Sequence, residues 1–426
     1  MYRHRIVDKY IDIISKVYNA INIIGPKGCG KTTTAKQRCK SIIEFQDEEK
    51  RDNLLLIAST SPIQLLKNQK PILFDERQDA PKIWGTIRKD CDDNPNDVGS
   101  YFLTGSSSNK INTPHSGTLR IATIKMYPMS LFELGHSNGT VSLNELFNDS
   151  QSFNGCKSSL KIDDLIEAIC IGGWPKTINI KDSKLKLLIS KELFKQTYSV
   201  DISNIDNTKR NQNLAKTILQ SYARNLCTLT ESKTIFNDVN ANYKVSEATY
   251  YSYISALEKL CIIDDIGAWC PSIRSKTSIR SSKKRNFIDP SIATAALGIS
   301  PEYLHKDFKT LGFLFESLCI RDLKCYSQAN NGTVSYYHDR YDLEADAVLH
   351  LEDGRYALIE FKLGESEIDK GAKHLCEIER LVNEYNLKNQ QTSLKLPSLK
   401  IVITGTEYGY KRDDGVLVIP IGCLRD

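Results

Sequence analysis

Ile21 to Thr33 reads Ile-Asn-Ile-Ile-Gly25-Pro26-Lys27-Gly28-Cys29-Gly30-Lys31-Thr32-Thr33, an apolar run that breaks into the spacing G-x-x-x-x-G-K-[ST]. Small residues at these positions let successive backbone N–H groups turn inward onto phosphates. Lys31 is placed to reach β/γ oxygens and the Thr32 hydroxyl to ligate Mg²⁺. A chain of average composition should match this pattern by chance only about 0.01–0.02 times, so a nucleoside triphosphate, ATP by expectation, is the ligand the pattern predicts. Hydrolysis needs two further groups, and Lys70-Pro-Ile-Leu-Phe-Asp75-Glu76 offers them at the end of an apolar run. There Asp75 would hold the Mg²⁺ shell and Glu76 would polarise the attacking water. Tyr101-Phe-Leu-Thr104-Gly-Ser106 ends a third such run in hydroxyls that could sense the γ-phosphate, although the same residues also end strands as turn formers. Arg120 is a candidate for a cation on transition-state charge, in cis or in trans; a surface salt bridge is its other reading.

These groups need a sheet to present them. Short buried strands are expected at Ala20–Ile24, Leu54–Ile57, Pro71–Phe74 and Tyr101–Thr104, alternating with helical patterns that include Thr32–Ile43. Such alternation implies an α/β fold with a parallel sheet covered by helices. The stretch Asn148–Leu160, rich in Ser, Asn, Asp and Gly, reads as a boundary or loop. From Ile162 to about Gly298 the chain reads as mostly helical, interrupted at Gly172-Gly-Trp-Pro175 and by a polar linker over Asp201–Asn213. A last unit opens with a helix over Leu311–Cys325. It continues through strands Val334–His338, Ala345–His350 and Tyr356–Phe361, a helix over Lys370–Tyr385, and strands Leu399–Thr404 and Val416–Pro420.

Two more constellations carry chemistry. Lys233–Gly267 holds a helix, a turn, and a second helix with Ser246 as N-cap and Tyr250, Ile254, Leu257 and Leu260 on one face; an apolar strand follows. This is a winged-helix pattern. Thr249, Tyr253 and Lys259 would stand on its outer face, with Arg274, Lys276, Arg280, Lys283, Lys284 and Arg285 downstream as phosphate contacts to duplex DNA, or simply as a solvated loop. Glu344-Ala-Asp346, followed after Glu352-Asp-Gly-Arg by Leu358-Ile-Glu360-Phe-Lys362, has the spacing of a PD-(D/E)xK nuclease core. In such a core Asp346 and Glu360 would converge on a divalent metal, Lys362 would stabilise the nucleophile or phosphorane, and Glu316 on the preceding helix would complete the site. The alternative is a half-buried strand with a salt-bridged Glu/Lys pair.

The runs Asp75-Glu-Arg-Gln-Asp-Ala-Pro81, Leu103-Thr-Gly-Ser-Ser, His115-Ser-Gly-Thr-Leu-Arg-Ile and Met126-Tyr-Pro-Met-Ser-Leu-Phe-Glu133 closely resemble a family of bacterial and archaeal AAA-type P-loop ATPases. Its members carry a C-terminal domain of unknown function with a restriction-endonuclease-like core. The likeness extends through Gly312-Phe-Leu-Phe-Glu316 and Asp346 to Glu360-Phe-Lys362. It implies an ATPase in the first domain and the nuclease-like fold in the last, without implying cleavage.

The 426 residues suggest two or three domains, and the formal charge of +5 permits a nucleic-acid partner without demanding one. No apolar run is long enough for a membrane span, the N-terminus lacks a signal peptide's apolar core, and a cytoplasmic location is expected. Twelve cysteines show no C-x-x-C pair or zinc-finger spacing, which favours reduced, mostly buried thiols; Cys29, inside the phosphate loop, is the one expected to react with a thiol reagent. The expectation is therefore an AAA-type domain over 1–150, a helical region with a winged-helix-like module over 151–300, and a restriction-endonuclease-like α/β domain over 301–426. The leading function is a Mg²⁺-dependent ATPase acting on or near double-stranded DNA. The rival is a nucleotide-switched signalling or assembly protein whose nuclease-like domain is inactive and binds a protein partner. Oligomeric state is left open.

Overall fold

The computed structural model describes residues 2–105, 117–206, 208–272 and 281–426. Of the residues singled out above, Ser106, His115, Arg274, Lys276 and Arg280 lie outside the described residues. The first sheet is built from β1 (Ala20–Ile24), β2 (Ser41–Glu44), β3 (Ile72–Asp75), β4 (Tyr101–Gly105) and β5 (Ile121–Lys125), all parallel, in the order β2-β3-β4-β1-β5. Strand alternation divides its side chains between two cores. Ile21, Ile23, Leu73, Phe102 and Ile124 pack with the helix Val7–Ile14 and the loop helix. Ala20, Ile72, Phe74, Tyr101 and Leu103 pack with the helices Arg51–Thr60 and Lys82–Asp93.

Two expectations for this domain are corrected and one strand is added. Leu54–Ile57 is not a strand but the middle of the helix Arg51–Thr60; a short apolar run cannot by itself distinguish the two. The helix after the phosphate loop stops at Lys36, and Ser41–Glu44 forms β2, where the β-branched pair Ile42-Ile43 lies beside β3. β5 was not anticipated as a strand, because Ile121-Ala-Thr-Ile-Lys125 is short and carries three polar or small residues.

Two strands of two residues each, β6 (Val141–Ser142) and β7 (Cys156–Lys157), join sheets that the end of the chain completes. The second large sheet comprises β7 with β8 (Thr333–His338), β9 (Glu344–His350), β10 (Tyr356–Lys362), β11 (Leu399–Thr404), β12 (Tyr408–Lys411) and β13 (Leu417–Pro420), in the order β7-β12-β13-β11-β10-β9-β8. β8, β9 and β10 are antiparallel neighbours, whereas β10, β11 and β13 run parallel. β14 (Leu424–Arg425) pairs with β6, so residues 141–157, read above as the end of one domain and a loop, contribute strands to the C-terminal part. The helix Ile368–Lys388 covers one face of the large sheet through Ile368, Ala372, Leu375 and Ile378. The other face belongs to a core shared with the helix Phe308–Ser327 and the middle helices.

The middle region is helical: Ile162–Ile171, Ser183–Gln196, Gln212–Arg224, Ser232–Tyr243, Glu247–Lys259 and Pro290–Leu297. Ser246 caps Glu247–Lys259 by accepting from Thr249 N, as its residue type predicts. After that helix, antiparallel bridges join Ile263 to Phe287 and Ile266 to Lys284.

Candidate functional site

The phosphate loop leaves β1 at the C-terminal edge of the parallel sheet, between β4 and β5, where the strand order places ligands in open α/β folds. Gly25 lies so close to β5's exit that a Cβ there would stand 2.3 Å from Met126 O, and Gly28 and Gly30 hold φ of 81° and 103°. No other residue type fits this path without strain. The Lys31 ammonium is buried and donates to Gly25 O at 3.0 Å and Pro26 O at 2.9 Å, curled over the loop it would share with phosphate. Since the following helix is only Lys31–Lys36, backbone N–H groups and Lys31, more than a helix dipole, supply the positive potential.

β3 delivers Asp75 beside the loop. Asp75 Oδ1 accepts from Thr32 Oγ1 at 2.7 Å and from the hydroxyl of Thr104, which is buried at the end of β4. Two strands and the helix after the loop thus meet at one carboxylate oxygen, and this hard oxygen set of Thr32 and Asp75 is of the kind Mg²⁺ takes. Glu76 follows in a left-handed conformation, φ 52°, its carboxylate accepting from Gln78 Nε2. It lines a cavity of about 680 Å³ together with Lys27, Gly28, Gln46, Gln78 and Trp174. On the other side of the loop a cavity of about 290 Å³ is lined by Tyr2, Arg5, Gly30, Thr33, Thr34 and Pro175.

Several loop contacts have no local signal in the sequence. Arg5 Nη1 donates to Cys29 O at 2.9 Å while Nε pairs with Glu133 at 2.9 Å, so the N-terminal arm clamps the loop. Glu133 is held in turn by a capping box with Ser130, which gives Ser130-Leu-Phe-Glu133 a structural reason. Trp174 and Pro175, noted above only as a helix interruption, pack on the loop: Pro175 Cγ lies 3.4 Å from a Cβ built on Gly30. Gly173 N donates to Asp289 at 2.9 Å, Asp289 accepts from Arg321 at 3.0 Å, and Arg321 binds Asp322, which receives Leu131 N at 3.0 Å. Asp264 is half-buried between Lys125 of β5 at 2.5 Å and Lys324 at 2.6 Å. Burial pushes its carboxyl up, but the two ammonium groups outweigh this and hold it down at about 2.

Not every expected residue joins the site. Arg120 precedes β5 at the end of the sheet opposite the loop, since Ala20 pairs with Ile121 and Ile24 with Lys125. It donates to Asp92 at 2.6 Å and does not reach this chain's own phosphate loop. Cys29 is fully buried with Sγ toward Met126 O, which removes the expectation of a reactive thiol. In the middle region Tyr253 is buried, its hydroxyl accepting from Asn211 N, rather than standing on an outer face. Lys284 and Arg285 are buried in ion pairs with Glu316 and Asp265, whereas Lys283 and Thr249 are exposed.

The C-terminal constellation does come together. Asp346 on β9 and Glu360 and Lys362 on β10 meet, with Lys362 Nζ at 2.6 Å from Glu360 and 3.5 Å from Asp346; Asp346 Oδ2 accepts from Phe361 N at 2.8 Å. Gly371 lets the covering helix approach: a Cβ there would meet Lys362 Cε at 3.1 Å. His374 Nδ1 on that helix lies 3.4 Å from Glu360. Burial, then the neighbouring Asp346 charge, raises the Glu360 carboxyl. Asp346 is held down by Lys284 and Lys362 against its own burial. The group does not fit the expected metal centre of Glu316, Asp346 and Glu360. A lysine from the middle region occupies the space between two of the carboxylates, and no three His, Cys, Asp or Glu converge to hold a metal ion among the described residues.

Residues 17–135 match the model of an AAA domain, and the sheet above is accordingly an AAA-type P-loop domain. Residues 162–303 and 311–424 match two different domains of unknown function, DUF8612 and DUF4143. No curated protein matches the chain. Among solved structures, a Walker-type ATPase of Pyrococcus abyssi is similar over 69% of this chain and 96% of its own, at 12% identity and a TM-score of 0.41. No helix among the described residues is long and apolar enough to cross a membrane.

Proposed function

We propose that the chain hydrolyses ATP with its first domain and passes the nucleotide state to the other two. The observation that carries this is the meeting of Thr32, Asp75 and Thr104 on one carboxylate oxygen beside a buried Lys31, with Glu76 facing the adjoining cavity. Backbone N–H groups of Gly25–Thr33 and the Lys31 ammonium would bind the β and γ phosphates. The base would lie against Pro175, Tyr2 and Thr33 in the smaller cavity. Glu76 would take the proton from the attacking water, and Thr104 would keep Asp75 in position. Mg²⁺, when bound by Thr32 and Asp75, neutralises charge on the phosphates.

The three-part division at 1–150, 151–300 and 301–426 is retained as a proposal, with 141–157 lending strands to the last part. The helix order before and after β8–β10, followed by β11, supports a restriction-endonuclease-like reading of the C-terminal fold. Action on double-stranded DNA rests on Thr249, Lys259 and Lys283. The burial of Lys284 and Arg285 favours the second reading, in which nucleotide binding orders domains for a protein partner. A cytoplasmic setting suits either. ATP turnover measured with and without duplex DNA decides: stimulation by DNA supports the first, and unchanged turnover supports the second. No turnover at all with Mg²⁺ present would refute the ATPase reading.

A further inference from the structure

The carboxylates on the helix Phe308–Ser327 and on the C-terminal sheet already hold two cations, and one of them comes from elsewhere in the chain. Lys284 Nζ donates to Glu316 Oε1 at 2.7 Å and to Asp346 O at 3.1 Å, and stands 3.9 Å from Asp346 Oδ1. Its backbone is fixed by two hydrogen bonds with Ile266, N to O at 2.9 Å and O from N at 3.0 Å. The residue is only 5% exposed, and its ammonium lies 5.8 Å from the Tyr336 ring centre. Lys362 fills the other gap, between Glu360 and Asp346. Each space between neighbouring carboxylates is thus occupied by an ammonium group that is hydrogen-bonded to one carboxylate, Glu316 or Glu360, and within ion-pair distance of the other, Asp346. A divalent ion would need the same oxygens at about 2.0–2.6 Å.

We infer that Lys284 takes the place of a divalent cation, so that Glu316, Asp346 and Glu360 form a charge clamp between the middle region and the C-terminal sheet rather than a metal centre. Asp346 repels Glu316 on one side and Glu360 on the other, and such pairs in a largely buried setting persist only when neutralised. Here Lys284, donated by the bridge that follows the helix Glu247–Lys259, supplies the neutralisation and ties two parts of the chain together. The same helix that carries Glu316 also carries Arg321 and Lys324, so the clamp sits on the element that reaches Gly173, next to the loop-packing Trp174 and Pro175, through Asp289, and Lys125 of β5 through Asp264. Without its ammonium, the clamp becomes an acidic pocket with the donors a hard divalent ion prefers.

The test is thermal melting of the full, nucleotide-free chain with Mn²⁺ as the probe. The wild-type Tm should be the same with and without millimolar Mn²⁺. Lys284→Met should lower it by about 5 °C or more, and Mn²⁺ should recover part of the loss saturably. The double variant Lys284→Met with Glu316→Gln should regain stability without metal and lose the Mn²⁺ response. Saturable Mn²⁺ stabilisation of the wild type that Asp346→Asn removes would overturn the inference, as would metal-dependent duplex cleavage abolished by Asp346→Asn, or a Lys284→Met Tm equal to wild type. Should Lys284→Met not fold, the wild-type titration and the double variant decide: Mn²⁺ insensitivity with a folded double variant supports the clamp, and a double variant that also fails to fold overturns it.

Discussion

Replacing Glu76 with Gln should separate nucleotide binding from turnover. The side chain leaves a left-handed backbone position at the end of β3, is half-buried, and is oriented by Gln78. Glutamine keeps its volume and reach, so the cavity and the loop should be unchanged. What is lost is an oxygen able to take the proton of the attacking water. A positioned general base contributes about 10²–10⁴ in rate, or about 2.7–5.5 kcal/mol at 1.36 kcal/mol per tenfold. Lys31→Ala is the comparison. It removes the buried ammonium now bonded to Gly25 O and Pro26 O, and one to two charge-assisted contacts to phosphate at about 1.5–3 kcal/mol each predict about 10–10⁴-fold weaker binding. The assay pairs equilibrium binding of a fluorescent ATP analogue with phosphate release. Glu76→Gln should bind within about threefold of wild type and turn over at least a hundredfold more slowly, whereas Lys31→Ala should fail at binding. Wild-type turnover in Glu76→Gln would refute its role as base, and loss of binding there would show that Glu76 supports the loop instead.

Arg120→Ala should leave turnover of dilute protein unchanged and cost about 0–1 kcal/mol of stability, since the Asp92 pair is partly exposed; a tenfold fall restored by mixing with Lys31→Ala subunits would show a finger supplied across an interface. Arg321→Met should destabilise the chain by about 3–5 kcal/mol in urea unfolding, because Asp289 and Asp322 would remain buried without their shared cation; a loss below about 1 kcal/mol would show that the triad is not held as a unit. Asp264 makes a pH-dependent contribution. Its folded pKa of about 2 lies below the unfolded value of about 3.9, so its stabilisation is full above pH ~4 and is lost as pH falls towards 2. The Tm gap between wild type and Asp264→Asn should therefore narrow below pH ~4, and a gap independent of pH would refute the linkage.

The phosphate loop, Asp75-Glu76 and the strand ending at Thr104 were legible in the sequence because each depends on short-range geometry. Glycines at positive φ, a β-branched run before them and an acid at a strand end are constraints a few residues long. Asp346, Glu360 and Lys362 were legible for the same reason, since strand alternation alone puts the last two on one face. Their chemistry was not. Whether those carboxylates face a metal or an ammonium depends on Lys284, far away in the chain, whose position is set by the Ile266 bridge and by packing. Arg120 shows the converse: its sequence neighbours suggested a catalytic cation, but strand register put it at the far end of the sheet beside Asp92. Arg5 on Cys29, Asp264 between two lysines and Gly173 on Asp289 likewise join distant segments. Backbone conformation is dictated locally by sterics, so sequence alone determined the loop and its strands. The counter-charge of a buried ion is dictated by whichever distant group the fold brings within about 4 Å, and that only the tertiary structure decided.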